Sequence, residues 1–197
     1  MTGYTRGERQ ALRTRRAIVN AFSALIREKN YADITVNDII GRADAGRSTF
    51  YRYFRTKADL LIYLHEERFD NLLGSLSSAS AWMSASPPPE LQRFLEMFRL
   101  LGKNRQFSLA YMLGNDIDYV IHHINRLLSA KFEKSLYTAF GEEKTGIPIA
   151  TLARSVAGSY CWIVISWLTG EIREDADAVA AWIHRLARAS VREALIP

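Results

Sequence analysis

The stretch that decides the fold is residues 35–54, which read TVNDIIGRADAGRSTFYRYF. It opens with Thr35 and, three residues later, Asp38. This is the spacing of a capping box, in which the two side chains satisfy free backbone amides at a helix start. The segment Asp44-Ala45-Gly46 predicts a tight turn, and a second short helix should run from Arg47 to about Tyr53. Two short helices joined by such a turn predict a helix-turn-helix, whose second helix fits the major groove of DNA.

Positive charge is concentrated around this stretch. Residues 1–57 carry 12 Lys and Arg against 5 Asp and Glu, whereas residues 58–197 carry 14 against 16. All of the net charge of +5 therefore comes from the first third of the chain. Such an asymmetry is the electrostatic footprint of a protein that contacts a polyanion such as DNA. A solvated basic face without a partner would give the same count, so charge alone leaves both interpretations open.

Helical periodicity extends outward in both directions, and no strand pattern interrupts it. The spacing predicts a first helix from about Glu8 to Lys29. A second capping box, Thr56 with Asp59, predicts a long fourth helix that continues toward Ala81. Three prolines at 87–89 must break the helix that precedes them. Beyond them the pattern predicts helices at about 89–102, 105–113, 116–140, 148–169 and 175–195, which makes an all-α fold of about nine helices.

Composition excludes several other classes of protein. The single cysteine, Cys161, rules out an intrachain disulfide and a cysteine-rich metal site, and fits a reducing, cytoplasmic setting. We expect no signal peptide and no membrane span, since the apolar run 160–168 is far shorter than about 20 residues. The adjacent His122 and His123 point about 100° apart on a helix, which argues against a shared metal ion. No catalytic motif is present, so we expect no enzyme activity, no cofactor and no metal.

The second short helix carries side chains suited to reading DNA. Arginine can bond the two acceptors of guanine, and threonine can bond a base edge or touch a thymine methyl group. Hydroxyl groups suit phosphate, and so does a lysine in the first turn of a helix, where free amides also favour an anion. The predicted DNA-binding residues are Thr35, Arg47, Ser48, Thr49, Tyr51, Tyr53 and Lys57.

Three blocks, residues 35–40, 48–54 and 57–61, together resemble the core signature of the TetR family of bacterial transcriptional regulators. The resemblance implies a three-helix DNA-binding head at residues 1–56. It also implies a helical ligand-sensing and dimerisation body at residues 57–197, a homodimer, and usually repression relieved by a small molecule. By position it implies phosphate contacts from Thr35, Tyr51, Tyr53 and Lys57, and base contacts from Arg47 and Thr49. The chain departs from the family pattern in the turn, where Asp44 replaces a glycine and puts a negative charge near DNA.

In the body, the segment 156–168 is apolar nearly all round, which predicts burial on more than one side. One side of this helix can pack against its own subunit, and a second subunit could bury the other side. The amphipathic last helix could join this contact. The alternative is a well-buried helix of a monomer. The predicted dimer interface comprises Tyr160, Val164, Trp167, Leu168, Trp182 and Leu186. A twofold dimer would place two heads on half-sites about 34–36 Å apart or a multiple of that.

The body is also rich in aromatic residues and methionine, which could line a pocket for an apolar or aromatic effector or could equally form the core. The predicted ligand-binding residues are Trp82, Phe94, Phe98, Tyr111, Met112, Tyr119, His122 and Tyr160. The sequence thus predicts a repressor that an effector releases from its operator. The alternatives are a regulator whose body serves only dimerisation or protein contact, and a helical enzyme with a basic arm.

Overall fold

The structure is a computed structural model that describes residues 5–102, 116–141 and 145–195. In these three ranges the regular secondary structure is entirely helical, with nine α-helices and one short 3₁₀-helix. The predicted all-α class is confirmed. The predicted helix at 105–113 lies outside the described residues, and the ninth described helix arises instead from a break in the predicted fourth helix.

The N-terminal head contains α1 (Arg6–Glu28), a 3₁₀-helix (Tyr31–Asp33), α2 (Val36–Ala43) and α3 (Arg47–Tyr53), and it leads into α4 (Lys57–Gly74). Helices α1, α2 and α4 each begin at a complete capping box. Their starts are therefore fixed by residues within one turn of the cap. The apolar faces meet in one core that includes Ile18, Phe22, Ile39, Phe50 and Phe54.

The body contains α5 (Ala79–Trp82), α6 (Pro89–Gly102), α7 (Ile117–Phe140), α8 (Ile149–Leu168) and α9 (Ala176–Ala194). Helix α8 packs against both α7 and α9, and Ala153 and Ala157 on it are fully buried. By length and composition α8 could also cross a membrane, with 39% of its most apolar window buried in the fold. Its packing between two helices of the body is that of a core helix.

Helix α4 differs from its predicted length. It ends at Gly74 instead of continuing toward Ala81, and Ser78 caps the one-turn helix α5 by accepting a hydrogen bond from the Ala81 amide at 3.2 Å. The break returns Trp82 to the core, where its indole Nε1 donates to Ser135 Oγ of α7 at 3.1 Å. Ser135 in turn donates to the Leu76 carbonyl at 2.6 Å. This buried contact with α7 stabilises the turn and outweighs helical continuity.

Head and body share a packed boundary. The first half of α4, including Ala58, Leu60 and Leu64, belongs to the head core, and Val120 of α7 joins it. Two phenols bridge the same boundary. Tyr31 of the head donates to Asp116 Oδ2 at 2.7 Å, and Tyr119 of α7 donates to Asp59 Oδ1 at 2.6 Å. The residues that precede and begin α7 therefore fix the head relative to the body.

Candidate DNA-binding interface

The start of α2 is held by the Thr35–Asp38 capping box. Thr35 Oγ1 accepts from the Asp38 amide at 3.1 Å, and the Thr35 amide donates to Asp38 Oδ2 at 2.7 Å. Lys29, directly after α1, adds an ion pair to the same carboxylate at 2.9 Å. Hydrogen bonds from Thr35 and Lys29 hold the pKa of Asp38 well below its usual range. Thr35 is thus fixed at an exposed helix N-terminus, where the backbone amides of the first turn can face a phosphate. Its hydroxyl donates to Asp38 Oδ2 at 2.7 Å, so a phosphate contact from this hydroxyl would have to replace that bond.

The turn between α2 and α3 is a Schellman motif. The Ala45 amide donates to the Ile40 carbonyl at 3.0 Å, and the Asp44 amide to the Gly41 carbonyl at 3.5 Å. Asp44 adopts the left-handed conformation at φ 48° and ψ 50°. A side chain is strained there, although aspartate tolerates the conformation better than most residues. The turn therefore closes as the helix-turn-helix requires, with an aspartate in a position that favours glycine.

Helix α3 separates its residues into an inner and an outer face. Phe50 and Phe54 are buried, with ring centroids 6.0 Å apart. Among the predicted DNA-binding residues, Arg47, Ser48 and Tyr51 are exposed, and Thr49 and Tyr53 are partly buried. Tyr51 leaves half of its surface accessible. The structure thus gives α3 an accessible polar face next to the N-terminus of α2.

Asn37 is a neighbour of the reading helix that the sequence did not single out. Arg47 Nη2 donates to Asn37 Oδ1 at 3.2 Å, which joins the predicted base-reading arginine to α2. Asn37 is exposed in the first turn of α2, so its amide can orient the guanidinium at the protein surface. The sequence offers no local signal for this pair because ten residues and a turn separate its members.

Lys57 is more enclosed than its predicted phosphate contact suggests. Its Nζ donates to the carbonyls of Tyr31 at 2.8 Å, Ala32 at 3.2 Å and Ile34 at 3.0 Å. It also lies 4.3 Å from the centre of the Tyr31 ring. Burial lowers the pKa of Lys57, and the negative charges of Asp116 and Asp33 oppose this shift. An ammonium group has three donors, so a phosphate contact would have to replace one of these bonds.

The arginines of α1 divide between two roles. Arg6, Arg9, Arg13 and Arg16 are exposed and form a basic face. Arg15 instead places its guanidinium 3.9 Å from the centre of the Tyr63 ring of α4, a cation–π contact that packs α1 onto α4. The sequence gives no local signal for this contact, because only the tertiary fold brings Tyr63 beside Arg15.

The predicted ligand-binding residues fall into two groups in the structure. Trp82, Phe94 and Tyr160 are buried in the body core, around Phe69 and Phe132. Tyr119 and the exposed His122 lie instead near the start of α7. The side chain of Phe98 and the residues Tyr111 and Met112 lie outside the described part. No cluster of metal-ligating side chains occurs among the described residues.

A cleft in the body brings Trp82 and Tyr160 together. It has a volume of about 510 Å³, which includes space open to solvent. The sequence did not predict the other lining residues, because they come from four further segments of the body that only the fold brings together. These walls include Leu72 of α4, Phe132 of α7, and Ile183, His184 and Leu186 of α9.

The predicted dimer residues are also divided. Tyr160 and Val164 are buried in the subunit's own core, because α7 and α9 cover that side of α8. Trp167 is partly buried and donates from Nε1 to the Glu174 carbonyl at 2.8 Å. Leu168 and Trp182 are partly buried, and Leu186 is exposed. Trp162, which the prediction omitted, is the most accessible large apolar side chain described, at 70%.

Comparison with known proteins identifies the head. The family model described as "Bacterial regulatory proteins, tetR family" matches residues 18–64, from the buried half of α1 through the first half of α4. Residues 18–64 therefore carry the DNA-binding domain of the TetR family. The predicted recognition is confirmed, and TetR-family proteins are DNA-binding transcriptional regulators.

Two HTH-type transcriptional regulators are similar to this chain. The dhaKLM operon transcriptional activator DhaS of Lactococcus lactis is 28% identical over 126 residues, which cover 61% of this chain and 67% of that protein. The regulator EthR of Mycolicibacterium smegmatis is 30% identical over 82 residues, 42% of this chain and 38% of EthR. These spans, two thirds of one relative and less than half of the other, show a similarity to HTH-type transcriptional regulators.

The fold itself recurs in solved structures. A TetR-family regulator from Syntrophomonas wolfei aligns with a TM-score of 0.61 at 18% identity, over 93% of this chain and 97% of that one. The alignment includes the body as well as the head. The architecture of a helix-turn-helix head on a helical body is therefore that of the TetR fold.

Proposed function

We propose that this TetR-family regulator is a cytoplasmic homodimeric repressor, which an apolar or aromatic small molecule releases from its operator. The observation that carries DNA recognition is the exposed face of α3. There Arg47 is oriented by Asn37 beside the capped N-terminus of α2. Arginine at such a position can read guanine, and the N-terminus of α2 can bind the adjacent phosphate.

The outer face of α8 and α9 supports a dimer. Trp162 and Leu186 are accessible large apolar side chains, and Trp182 of α9 adds a partly buried one. Aromatic residues of this kind dominate the energetics of protein interfaces. A twofold contact through this face would present two heads to one duplex.

The cleft supports an effector. Its walls are mostly apolar with a few polar groups, as is usual for small-molecule sites. Two solved structures share the fold at 16% identity and a TM-score of 0.54. They are RolR in complex with resorcinol and Thermus thermophilus FadR, described as a transcriptional repressor, in complex with lauroyl-CoA. Those ligands belong to those proteins, and here they support only the class of function.

The mechanism is a coupling free energy between cleft and head. An effector that binds more tightly to a body conformation with misplaced heads weakens DNA binding, and operator DNA must weaken effector binding by the same factor. The connection runs through α4, which lines the cleft at Leu72 and enters the head core at Leu60 and Leu64.

The direct test is DNA binding by wild type and Arg47→Ala, with a duplex selected from a random pool by the wild-type protein. Loss of a base-reading arginine should cost about 1–3 kcal/mol and relax specificity at one position. Arg192→Ala is the matched control, since it removes an exposed charge from the last turn of α9. Fluorescence anisotropy should show a loss only for Arg47→Ala. Equal binding of selected and scrambled duplexes by wild type would contradict the proposal.

One relative favours a second function, because DhaS of Lactococcus lactis is a transcriptional activator. A reporter fused to the selected operator separates the two functions: deleting the regulator gene raises expression if the protein represses and lowers it if it activates. A regulator without an effector would show no thermal shift with any apolar compound, with or without operator DNA.

A further inference from the structure

The cleft described above has a mostly apolar lining and opens at the protein surface. Leu72, Trp82, Phe132, Val156 and Ile183 are buried in its lining. The exposed lining residues are Ser159 of α8 and Leu186 and Ser190 of α9, so the mouth lies at the edge of the proposed dimer face, to which Leu186 also belongs. Ser159 and Ser190 give this mouth a polar rim, and the walls behind it are apolar.

Tyr160 contributes the unusual feature of the lining. The residue is 4% exposed, and its hydroxyl oxygen is buried without a hydrogen-bond partner among the described residues. The rings of Phe69, Phe94 and Phe132 surround it at centroid distances of 6.3–6.5 Å. Burial raises the pKa of Tyr160 well above its ordinary value, so the phenol is neutral and remains a donor. Buried hydroxyls without a partner are uncommon because they lose their bonds to water.

The lining also restricts the charge of a bound molecule. No Asp, Glu, Lys or Arg is found among its described residues. The imidazole of His184 donates from Nε2 to the Ser84 carbonyl, which also accepts a bond from Arg188. A charged ligand would lose its hydration without gaining a counter-charge from these walls.

We propose that the cleft binds a neutral, largely apolar molecule that carries one hydrogen-bond acceptor, such as a ketone or ester carbonyl, and that the Tyr160 hydroxyl donates to this acceptor. The proposal rests on the function proposed above, because it names the chemical class of the effector. It also gives the unpaired phenol a role, since the ligand supplies the acceptor that the described part of the protein does not.

The test uses 1-phenylpentan-1-one and its hydrocarbon counterpart pentylbenzene, which differ only by a carbonyl group. Isothermal titration of the full-length protein should show the ketone binding roughly tenfold more tightly, the value of one well-made hydrogen bond. In Tyr160→Phe the ketone should lose this advantage while pentylbenzene binds as before, which also shows that the cleft is intact. Tyr137→Phe, a more exposed phenol on α7, should keep the advantage.

Three results would overturn the proposal: an undiminished ketone preference in Tyr160→Phe, tighter binding of 5-phenylpentanoate than of the ketone, or no binding of any probe. Operator binding with and without the ketone is measured separately. Ketone binding that depends on Tyr160 but leaves DNA affinity unchanged would support the site and contradict release by an effector. If the wild-type protein shows no sequence-specific DNA binding, this result contradicts the regulator function and leaves the ligand site unaffected.

Discussion

Lys57 shows how much a single residue of the head can do, since its ammonium group joins α4 to three carbonyls of the segment between α1 and α2. Replacing it by methionine keeps the length of the side chain and removes the donors. We expect Lys57→Met to lower the free energy of unfolding by about 1–3 kcal/mol in urea denaturation. Lys134→Met, at an exposed position of α7, should change it by less than about 0.5 kcal/mol.

DNA binding by the same variant distinguishes the two roles of Lys57. If the ammonium only holds the carbonyls, the dependence of log affinity on log salt concentration stays as in wild type. A decrease of the slope by about 0.9 would show that it gives up a carbonyl and neutralises a phosphate, as the family resemblance implies.

His65 of α4 should make stability depend on pH. It is buried beside Phe69 and Phe94, and burial lowers its pKa from 6.5 to about 4. Below pH 6.5 the imidazole of His65 binds a proton in the unfolded chain but stays neutral in the folded protein. The free energy of unfolding therefore falls as the pH decreases toward 4. Between pH 7 and 5 the loss should be on the order of 2 kcal/mol.

The check on His65 compares urea denaturation of wild type and His65→Leu at both pH values. The variant should lose most of the difference, and the exposed His122→Leu should retain it. Carboxylates with a lowered pKa, such as Asp38, contribute a loss only below their unfolded pKa of about 4. An equal pH dependence in wild type and His65→Leu would contradict the assignment.

At the scale of the elements, the turn between α2 and α3 gives the next prediction. Asp44→Gly removes a Cβ from a left-handed residue and should raise stability by about 1 kcal/mol. It also removes a negative charge beside the reading helix, so operator affinity should rise severalfold. Asp44→Asn is the matched variant, because asparagine also tolerates this conformation and is uncharged.

The two variants separate conformation from charge. Thermal denaturation should show most of the gain in Asp44→Gly only, whereas anisotropy should show tighter operator binding by both variants. If both variants bind the operator with the affinity of wild type, the charge of Asp44 lies too far from DNA to affect binding.

How far the sequence predicts an element depends on how local its determinants are. The starts of α2 and α3 were predicted closely because the Thr35–Asp38 capping box and the turn at residues 44–46 determine them. The end of α4 was not, because it depends on Trp82 meeting Ser135, which is 53 residues away. The candidate site follows the same rule. The exposed residues of α3 could be read from helical spacing, but the roles of Lys57, Arg15 and Asn37 depend on partners from other helices.

For the whole molecule, the outer face of α8 and α9 should decide the oligomeric state. Trp162→Glu places a charge at the centre of the proposed contact, and losing such an aromatic typically costs at least about 2 kcal/mol, or about 30-fold in dimer affinity. Sedimentation velocity should show a shift toward monomer, and fluorescence anisotropy should show a lower affinity for the operator. Tyr137→Glu, on α7, should remain dimeric. A monomeric wild type at micromolar concentration would contradict the dimer.

The carboxylate of Asp59 in α4 accepts hydrogen bonds from two different parts of the fold. Its Oδ2 accepts the amides of Arg55 and Thr56, directly after α3, and its Oδ1 accepts the phenol of Tyr119 on α7. A hydrogen bond tolerates only a few tenths of an ångström of stretch. If α7 moved further than that, the carboxylate would keep one set of donors and release the other. A movement of α7 would therefore change the hydrogen bonds of Arg55 and Thr56, the two residues that link α3 to α4.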